Sequence, residues 1–436
     1  GLGDVYKRQI LSWLWSIHVY ASNKPMITSK SDTDVSFPTK RVVAYGAIGL
    51  IGVIAFFTIH WRVGIGIILF AGILSLFSIP IRLNPLTVKK LNRFKEIRRG
   101  YYSFLVLLFL GILSLFSEYI ANGRALAVHY EGKFYFPTYS DVKLGNEFGL
   151  TGDIANSPVD YRNLKQVFNE QDTGNWVLMP VVAFSPNENN IFEGVLKPRP
   201  SDSQSGHYLG TDSTGRDILS RVIYGFRIAI FFSLAFMTLV YMIGITIGCL
   251  MGYFGGWFDL FVQRLIEIWS LVPFIYMVII IFSVIPTSFS ISTRIAILLS
   301  IMVLFSWTGM TYYMRTATYK EKARDYTAAA QIIGASAPRI IFHHILPNAV
   351  STIVTFMPFT MAAAITAITA LDFLGFGLPP PTPSIGEILK QGTSRLDAPW
   401  IVTSAFISLV FILTLVTFVG EAVREAFDPK KFTTYR

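Results

Sequence analysis

The sequence has little cysteine and little charge. It contains one cysteine, Cys249, among 436 residues, which excludes a disulfide between two of its residues and a cysteine-based metal cluster. Charged residues make up 15% of the chain, whereas a soluble domain usually carries about 25%. The chain therefore has too few charged groups to cover the surface of a soluble protein of this length.

Apolar residues are abundant instead: they form 52% of the chain, and the mean hydropathy is +0.50. They occur in unbroken runs of about 20 residues, the length that a helix needs to cross a hydrocarbon core of roughly 30 Å. Unbroken runs favour helices over alternating barrel strands. The predicted fold class is an all-α, polytopic membrane protein. We predict spans at 41–59, 63–80, 101–120, 226–252, 267–285, 295–314, 348–371 and 400–420.

The positive charge of the chain, +10 in total, is concentrated beside the apolar runs. Lysine and arginine cluster at 89–99, at 315–339 and at 430–436. Such clusters are typical of cytoplasmic segments of membrane proteins, and with this span order all three fall on the cytoplasmic side. The long segment 121–215 is then expected outside, with short strands around Tyr130–Tyr139. We predict no nucleic-acid partner, because topology accounts for the basic charge.

The connector between the sixth and seventh predicted spans has an ordered pattern. Ala328, Ala329 and Ala330 favour a helix, and Gly334 suits the left-handed residue that ends one. Ser336 can cap a second short helix. Pro347 is expected to end that helix, so that the next span starts on a new axis. The pattern predicts a rigid elbow between two membrane spans.

This connector resembles the coupling loop of ABC importer permeases, whose pattern is Glu-Ala-Ala, three residues, Gly, nine residues and Ile-x-Leu-Pro. Ala328 stands in place of the Glu, and His344 in place of the Ile. The resemblance implies that the loop docks into a groove of a partner ATPase and receives its movement. The residues assigned to this coupling role are Tyr326, Ala328, Ala329, Ala330, Gly334, Ala335, Ser336, His344, Leu346 and Pro347.

Other segments resemble permeases of dipeptide and oligopeptide importers. These are residues 209–227, 252–273, 371–400 and 420–429. The long segment 121–215 looks closest to the permease of the microcin C-type peptide importer. An external motif of this family is assigned to Gly210, Thr211, Asp212, Gly215, Arg216 and Asp217.

The resemblance implies a helical bundle of the ABC importer permease type, with a sizeable external segment between its first and second core spans. The expected function is that of a peptide-importing permease subunit in the bacterial inner membrane, with its coupling loop and C-terminus in the cytoplasm. The chain is not expected to be an enzyme or to bind a cofactor, since it has no phosphate loop of the form G-x-x-x-x-G-K-[ST]. ATP and Mg²⁺ are expected in partner ATPase subunits. The other expected partners are a second permease, an extracytoplasmic binding protein, membrane lipid and the peptide substrate.

The predicted domain organisation has five parts. Residues 1–9 resemble translated sequencing adapter and are left out of the fold. Residues 10–84 are expected to be an N-terminal extension with a transmembrane hairpin, and 85–120 a basic cytoplasmic segment with the first core span. Residues 121–215 form the extracytoplasmic segment. Residues 216–436 form the permease core, with its coupling loop at 315–347.

Several charged residues near span ends are open to two interpretations. Arg264 and Glu267, three residues apart on a helix, form either a gate or coupling pair or a structural pair that anchors the helix at the membrane interface, and the structural anchor is favoured. Asp372 is likewise expected to be an interfacial anchor. Arg216 and Arg221, like Arg227, are expected to extend towards the interface.

No metal site is predicted. His343 and His344 are adjacent, so on a helix they point about 100° apart and do not readily face one ion. Two alternative functions stay open at this point. One is an ABC permease for nickel or another small solute. The other is a membrane-anchored sensor or enzyme that uses 121–215, where His129 and His207 are the only histidines.

Overall fold

The computed structural model describes residues 85–428, except 172–173, 191–196, 203–204 and 287. The predicted hairpin within 10–84 and the basic residues at 430–436 lie outside the described residues. In the described part, five helices are long and apolar enough to cross a membrane, or six if one bent pair counts as a span. Five of the six spans predicted from residue 101 onward fall on these long helices, and the sixth, 267–285, falls on the bent pair.

The elements are numbered here in chain order. The helices are α1 (Pro85–Glu96), α2 (Arg98–Leu115), α3 (Ser117–Ile120), α4 (Tyr161–Gln171), α5 (Ile218–Phe254), α6 (Gly256–Ser270), α7 (Phe274–Val284), α8 (Ile291–Lys322), α9 (Asp325–Ile332), α10 (Ala337–Arg339), α11 (Leu346–Leu374), α12 (Ile385–Ser394) and α13 (Pro399–Phe427). The strands are β1 (Ala127–Tyr130), β2 (Lys133–Tyr135) and β3 (Trp176–Leu178).

Helices α5 and α8 pack against each other through a row of glycines. Gly244, Gly248 and Gly252 recur every four residues and therefore lie on one face of α5. A Cβ atom on these glycines would lie 2.7 Å from Met310 Cβ, 2.5 Å from the Thr311 carbonyl oxygen and 2.6 Å from Thr318 Cβ, respectively. In a membrane the hydrophobic effect does not drive helices together, so they associate through close packing, and small residues let two backbones approach closely. The row therefore sets the distance between α5 and α8.

The predicted span 267–285 is wrong as a single straight helix. Helices α6 and α7 are bent by 69° at the break between them. Pro273 stands at the N-cap of α7. Proline has no N–H to donate and disfavours helical geometry in the residue before it. These effects end α6 before the proline.

The expected break at Pro347 is also wrong. From Ala337 to Leu374 the chain runs as one 38-residue helix, with a π-helical stretch at Ile340–Ile345 before the proline. Pro347 lies within the first two positions of α11. A π-helical stretch of this kind is a local adjustment that accommodates a proline in a helix.

Short strands predicted around Tyr130–Tyr139 are confirmed. β1 pairs with both β2 and β3 in antiparallel register, so the sheet order is β2-β1-β3. One face of this sheet packs on α4 through Val128, Val177, Leu164 and Phe168. The 121–215 segment thus has a small hydrophobic core of its own.

Asp372 is a correction to the sequence analysis, because it is buried and does not anchor α11 at an interface. Its carboxylate accepts hydrogen bonds from the Leu378 backbone N–H at 2.6 Å and from the Ser384 hydroxyl at 2.5 Å. It therefore holds the turn between α11 and α12. Hydropathy could not reveal this role, since both donors come from a later loop.

The glycine row predicts the effect of one added methyl group. Gly248→Ala places a Cβ against the α8 backbone, and overpacking of this kind costs roughly 1–3 kcal/mol. We expect a lower melting temperature of the detergent-purified protein. Gly111→Ala on α2 is the control, because a Cβ there meets no atom within 4 Å. Equal melting temperatures for both variants would contradict the close α5–α8 contact.

Candidate functional site

The elbow, residues 325–347, begins with helix α9 and a glycine turn. Gly334 has a φ of +85°, so the predicted left-handed helix end is confirmed. The Gly334 N–H donates to the Gln331 carbonyl at 3.0 Å, and the Ala335 N–H donates to the Ala330 carbonyl at 3.0 Å. These two bonds form the Schellman motif, which satisfies the last carbonyls of a helix. The turn therefore reverses the chain with its backbone groups paired.

The elbow is fastened to the end of α8. The Thr327 hydroxyl donates to the Glu321 carbonyl at 2.9 Å, and the Tyr326 hydroxyl donates to the Glu321 carboxylate at 2.7 Å. Burial, and next the hydrogen bond to Glu321, raise the pKa of Tyr326. In the π-helical stretch that follows the turn, Ile340 and Ile345 are fully buried. These contacts make the elbow a rigid extension of the helices on both sides.

The tip of the elbow is apolar and exposed. Ile332 is 86% exposed and Ile333 is 85% exposed, beside the exposed Ala328 and Ala329. Sequence reasoning did not select these two isoleucines. The available signal was an Ile-Ile pair directly before the helix-ending glycine.

The structure places the other predicted elbow residues at different depths. Ser336 occupies an N-cap position, but its side chain makes no capping hydrogen bond, so that expectation is wrong. Ala330 is buried; Tyr326, Ala335, His344 and Leu346 are partly buried; Gly334, Ser336 and Pro347 are exposed. The elbow therefore presents a mixed surface rather than one uniform alanine face.

An ion pair links α6 to the part of α8 that leads into the elbow. Arg315 binds both carboxylate oxygens of Asp259, at 2.5 and 2.6 Å. The Tyr319 hydroxyl also donates to Asp259 at 2.6 Å. A two-pronged arginine–carboxylate contact is stronger and more directional than a single bond. No sequence signal marked this pair, because its partners lie on separate helices.

At the start of α5 lies the buried charge cluster, defined as Asp212, Arg216, Arg221 and Glu387. Arg216 Nε lies 2.7 Å from Asp212 Oδ2, and Arg216 Nη2 lies 2.9 Å from Glu387 Oε1. Arg221 also pairs with Glu387 and donates to the Pro186 carbonyl at 2.9 Å. Two positive and two negative side chains therefore neutralise each other.

The expectation that Arg216 and Arg221 extend to the interface is wrong. The Arg221 side chain has no exposed surface. An isolated buried charge is very unfavourable, so such residues are paired. The pairing acid, Glu387, follows more than 160 residues later, which is why local sequence reasoning missed it. The cluster joins the end of the 121–215 segment to α5 and α12.

The structure brings the other residues of the predicted external motif into the same joint. Asp217 caps α5 by accepting from the Ser220 N–H at 2.7 Å, and it pairs with His207 Nδ1 at 2.9 Å. Thr211 accepts from the Trp400 indole N–H through its carbonyl at 3.1 Å. Gly210 and Gly215 have positive φ. The motif thus shapes a turn that locks α5 against the start of α13.

Arg264 and Glu267 form the predicted pair, with Arg264 Nη1 2.6 Å from Glu267 Oε2. The pair lies on the surface of α6, and both side chains are exposed. Exposed pairs of this kind contribute little to stability. Its role as a gate or a structural pair stays a prediction.

A cavity of about 440 Å³ lies near the middle of α5, α8 and α11, beside the start of α7. Its lining includes no charged side chain. Among the described residues, no three histidine, cysteine or acidic side chains are grouped to hold a metal ion. The chemistry available inside this part of the bundle is therefore that of aromatic rings, aliphatic groups and hydroxyls.

Comparison with known proteins defines the class. The family described as "Binding-protein-dependent transport system inner membrane component" matches residues 244–433, a range that includes the elbow. The match indicates the class that the sequence predicted, a transport subunit of the membrane.

Full-length relatives then give the family. The inner membrane ABC transporter permease protein YejE of Escherichia coli is 41% identical over 352 residues, which cover 80% of this chain and 99% of the relative. The peptidoglycan transport system permease protein YejE of Agrobacterium fabrum is 38% identical, covering 80% and 94%. The dipeptide permease DppC of Haemophilus influenzae is 34% identical, covering 58% and 85%. The chain belongs to the family of ABC importer permeases, and the resemblance stated from its motifs is confirmed.

The buried charge cluster predicts a large effect of removing one charge. Glu387→Gln leaves two buried arginines, Arg216 and Arg221, with Asp212 as the one remaining carboxylate of the cluster, and breaking a buried pair in this way costs about 3–5 kcal/mol. We expect poor membrane yield and a strongly lowered melting temperature. Asp397→Asn is the control, because it breaks an exposed pair with Arg395. A Glu387→Gln protein as stable as this control would refute the structural role of the cluster.

Proposed function

We propose that this chain is the peptide-importing permease subunit of an ATP-driven importer in a bacterial inner membrane. The observation that carries the proposal is 41% identity across nearly the whole of an ABC transporter permease. Peptide substrates are supported by permeases of dipeptide and oligopeptide systems among the relatives. Movement of peptide requires the spans to alternate between two accessible states, and ATP supplies the bias.

The elbow is the docking site for the ATPase in this proposal. Ile332 and Ile333 are almost completely exposed, because no other residue in the described part of the chain covers them. Burying apolar surface is favourable by roughly 25 cal/mol per Å². A short helix that enters a groove with an apolar tip is a common recognition mode. The ATPase groove would therefore cover the two isoleucines.

Three connections would carry the movement of the elbow into the bundle. The elbow continues without a break into α11. Tyr326 and Thr327 hold it to Glu321 of α8, and Arg315 of α8 holds Asp259 of α6. A ligand shifts a two-state equilibrium only if it binds the two states differently. The ATPase meets that condition if its closed and open forms hold the elbow at different positions.

The remaining partners follow from the same proposal. ATP and Mg²⁺ belong to separate ATPase subunits, and a second permease completes the pathway. The basic clusters support a cytoplasmic elbow and an extracytoplasmic 121–215 segment. An external binding protein would deliver peptide on that side. The five-part domain organisation stays a proposal with these boundaries.

No observation favours the two alternatives over peptide import. An enzyme in 121–215 would need a catalytic constellation there, for which His129 and His207 are the candidate histidines. The His129 ring packs against the rings of Phe134 and Trp176, with ring centroids 5.0 and 5.9 Å away, and His207 pairs with Asp217 at the start of α5. His207 therefore has a structural partner, whereas His129 packs among aromatic rings and its buried Nδ1 has no hydrogen-bond partner among the described residues. A nickel carrier would need inward-facing ligands.

The exposed tip predicts a charge-sensitive contact. Ile332→Glu together with Ile333→Glu should reduce co-purification of the ATPase at least tenfold, because two carboxylates would enter an apolar groove. The fold of the chain should be unaffected, since both side chains are exposed. Leu396→Glu is the matched control: Leu396 is 85% exposed and, in the proposed topology, lies on the opposite side. Undiminished ATPase recovery with the double variant would contradict docking at the tip.

Sidedness gives a separate prediction. In a Cys249→Ala background, Ala335→Cys should react with a membrane-impermeant maleimide only after the membrane has been permeabilised, so that the reagent reaches the cytoplasmic side. Ser140→Cys should react in intact spheroplasts, because it lies in the 121–215 segment. The reverse labelling pattern would overturn the proposed topology and with it the ATPase contact.

A further inference from the structure

The central cavity has the dimensions of a ligand site. Its volume, about 440 Å³, lies within the range of about 300–1,000 Å³ that is typical of small-molecule pockets. It is lined by residues near the middle of α5, α8 and α11, so it lies at membrane depth. Its inner wall contains the buried side chains of Phe236 and Met302. Its mouth includes the exposed residues Tyr313 and Ala363.

Three oxygen atoms in the wall are available to a ligand. The Thr360 hydroxyl donates to the Phe356 carbonyl at 3.1 Å, so the 3.1 Å contact between Tyr241 and Thr360 must use the Tyr241 proton. That arrangement leaves the Tyr241 oxygen as an acceptor. Within the described part of the chain, the hydroxyls of Ser306 and Tyr313 have no hydrogen-bond partner.

The rest of the wall is suited to an uncharged, flat or flexible group. Tyr313 and Phe356 stack with ring centroids 3.9 Å apart. Methionine side chains such as Met302 adapt their shape to aromatic neighbours. Small residues, including Gly309 and Ala363, form part of the mouth and leave room there. A charged group would meet no opposite charge in this lining.

We propose that this cavity binds an apolar or aromatic side chain of the peptide in transit, together with the peptide backbone beside it. The inference rests on the proposed function and adds a substrate subsite to it. The Tyr241 oxygen accepts a backbone N–H, and the hydroxyls of Ser306 and Tyr313 donate to a backbone carbonyl. The rings of Phe356 and Tyr313 hold the side chain.

Hydrogen bonding favours a peptide over the other possible occupants. A lipid chain has no donor or acceptor for the three wall oxygens, and polar groups left without partners in an apolar environment are unfavourable. A helix of a second permease satisfies its own backbone groups internally. An extended peptide has free N–H and C=O groups beside its side chain. An extended peptide therefore supplies both the apolar group and the hydrogen-bond partners.

The test uses the complete importer in cells that lack other peptide uptake. Two radiolabelled tripeptides, Ala-Phe-Ala and Ala-Gly-Ala, have the same charge and length. Ala363→Trp fills the mouth of the cavity and should lower uptake of Ala-Phe-Ala about tenfold, with less than a twofold change for Ala-Gly-Ala; hydrophobic pockets discriminate by about this factor. Ala370→Trp, exposed on the same helix but outside the lining, is the matched control. Tyr241→Phe should raise the half-saturating concentration of both peptides severalfold.

The outcomes separate this subsite from the proposed function. Equal loss of both peptides in Ala363→Trp, or no loss of either, would overturn the subsite. Loss of complex assembly in Ala363→Trp, with normal assembly and unchanged selectivity in Ala363→Leu, would show that a second permease fills the cavity. A wild-type complex that assembles with its ATPase but imports neither peptide would overturn the proposed function itself.

Discussion

The close contact between α5 and α8 is the constraint on which the rest of the structure depends. It requires Gly244, Gly248 and Gly252 in a row, because any larger side chain would meet the opposing helix. At 37 and 32 residues, these two helices are longer than a bilayer core requires. Each therefore projects beyond the membrane, and their fixed contact joins features at the two ends. α5 begins at the buried charge cluster, and α8 ends at the elbow.

The two ends use opposite physical solutions. At the start of α5, two arginines are buried and neutralised by Asp212 and Glu387, which suits a joint that keeps one geometry. At the end of α8, the elbow has a rigid interior but leaves Ile332 and Ile333 uncovered, which suits a surface that a partner covers. A permease needs both properties, because force applied at one end can reorganise a bundle only if the other end holds its helices in place.

Local sequence signals predicted much of this arrangement. Apolar run length located the five long helices and the bent pair of the described part, and the alanine run with Gly334 predicted the first elbow helix and its end. The errors arose where distant residues decide the outcome. Arg216 and Arg221 were predicted to lie at the membrane interface because their partner, Glu387, is far away in the chain. Asp372 was predicted to be an interfacial anchor because the groups that donate hydrogen bonds to it belong to a later loop. The predicted break at Pro347 was wrong for a different reason. A π-helical stretch before the proline accommodates its ring, so the helix continues where a break was expected.

The sequence by itself determined that the chain crosses a membrane as helices, which connector forms the elbow and which family the chain resembles. These properties follow from hydropathy, helix propensity and the spacing of a few small residues, all of which act over short stretches. Tertiary structure alone decided which charges are buried, which face of α5 meets α8 and where a cavity remains among four helices. Those outcomes depend on the distance between helices, and that distance is set by packing between residues far apart in the chain.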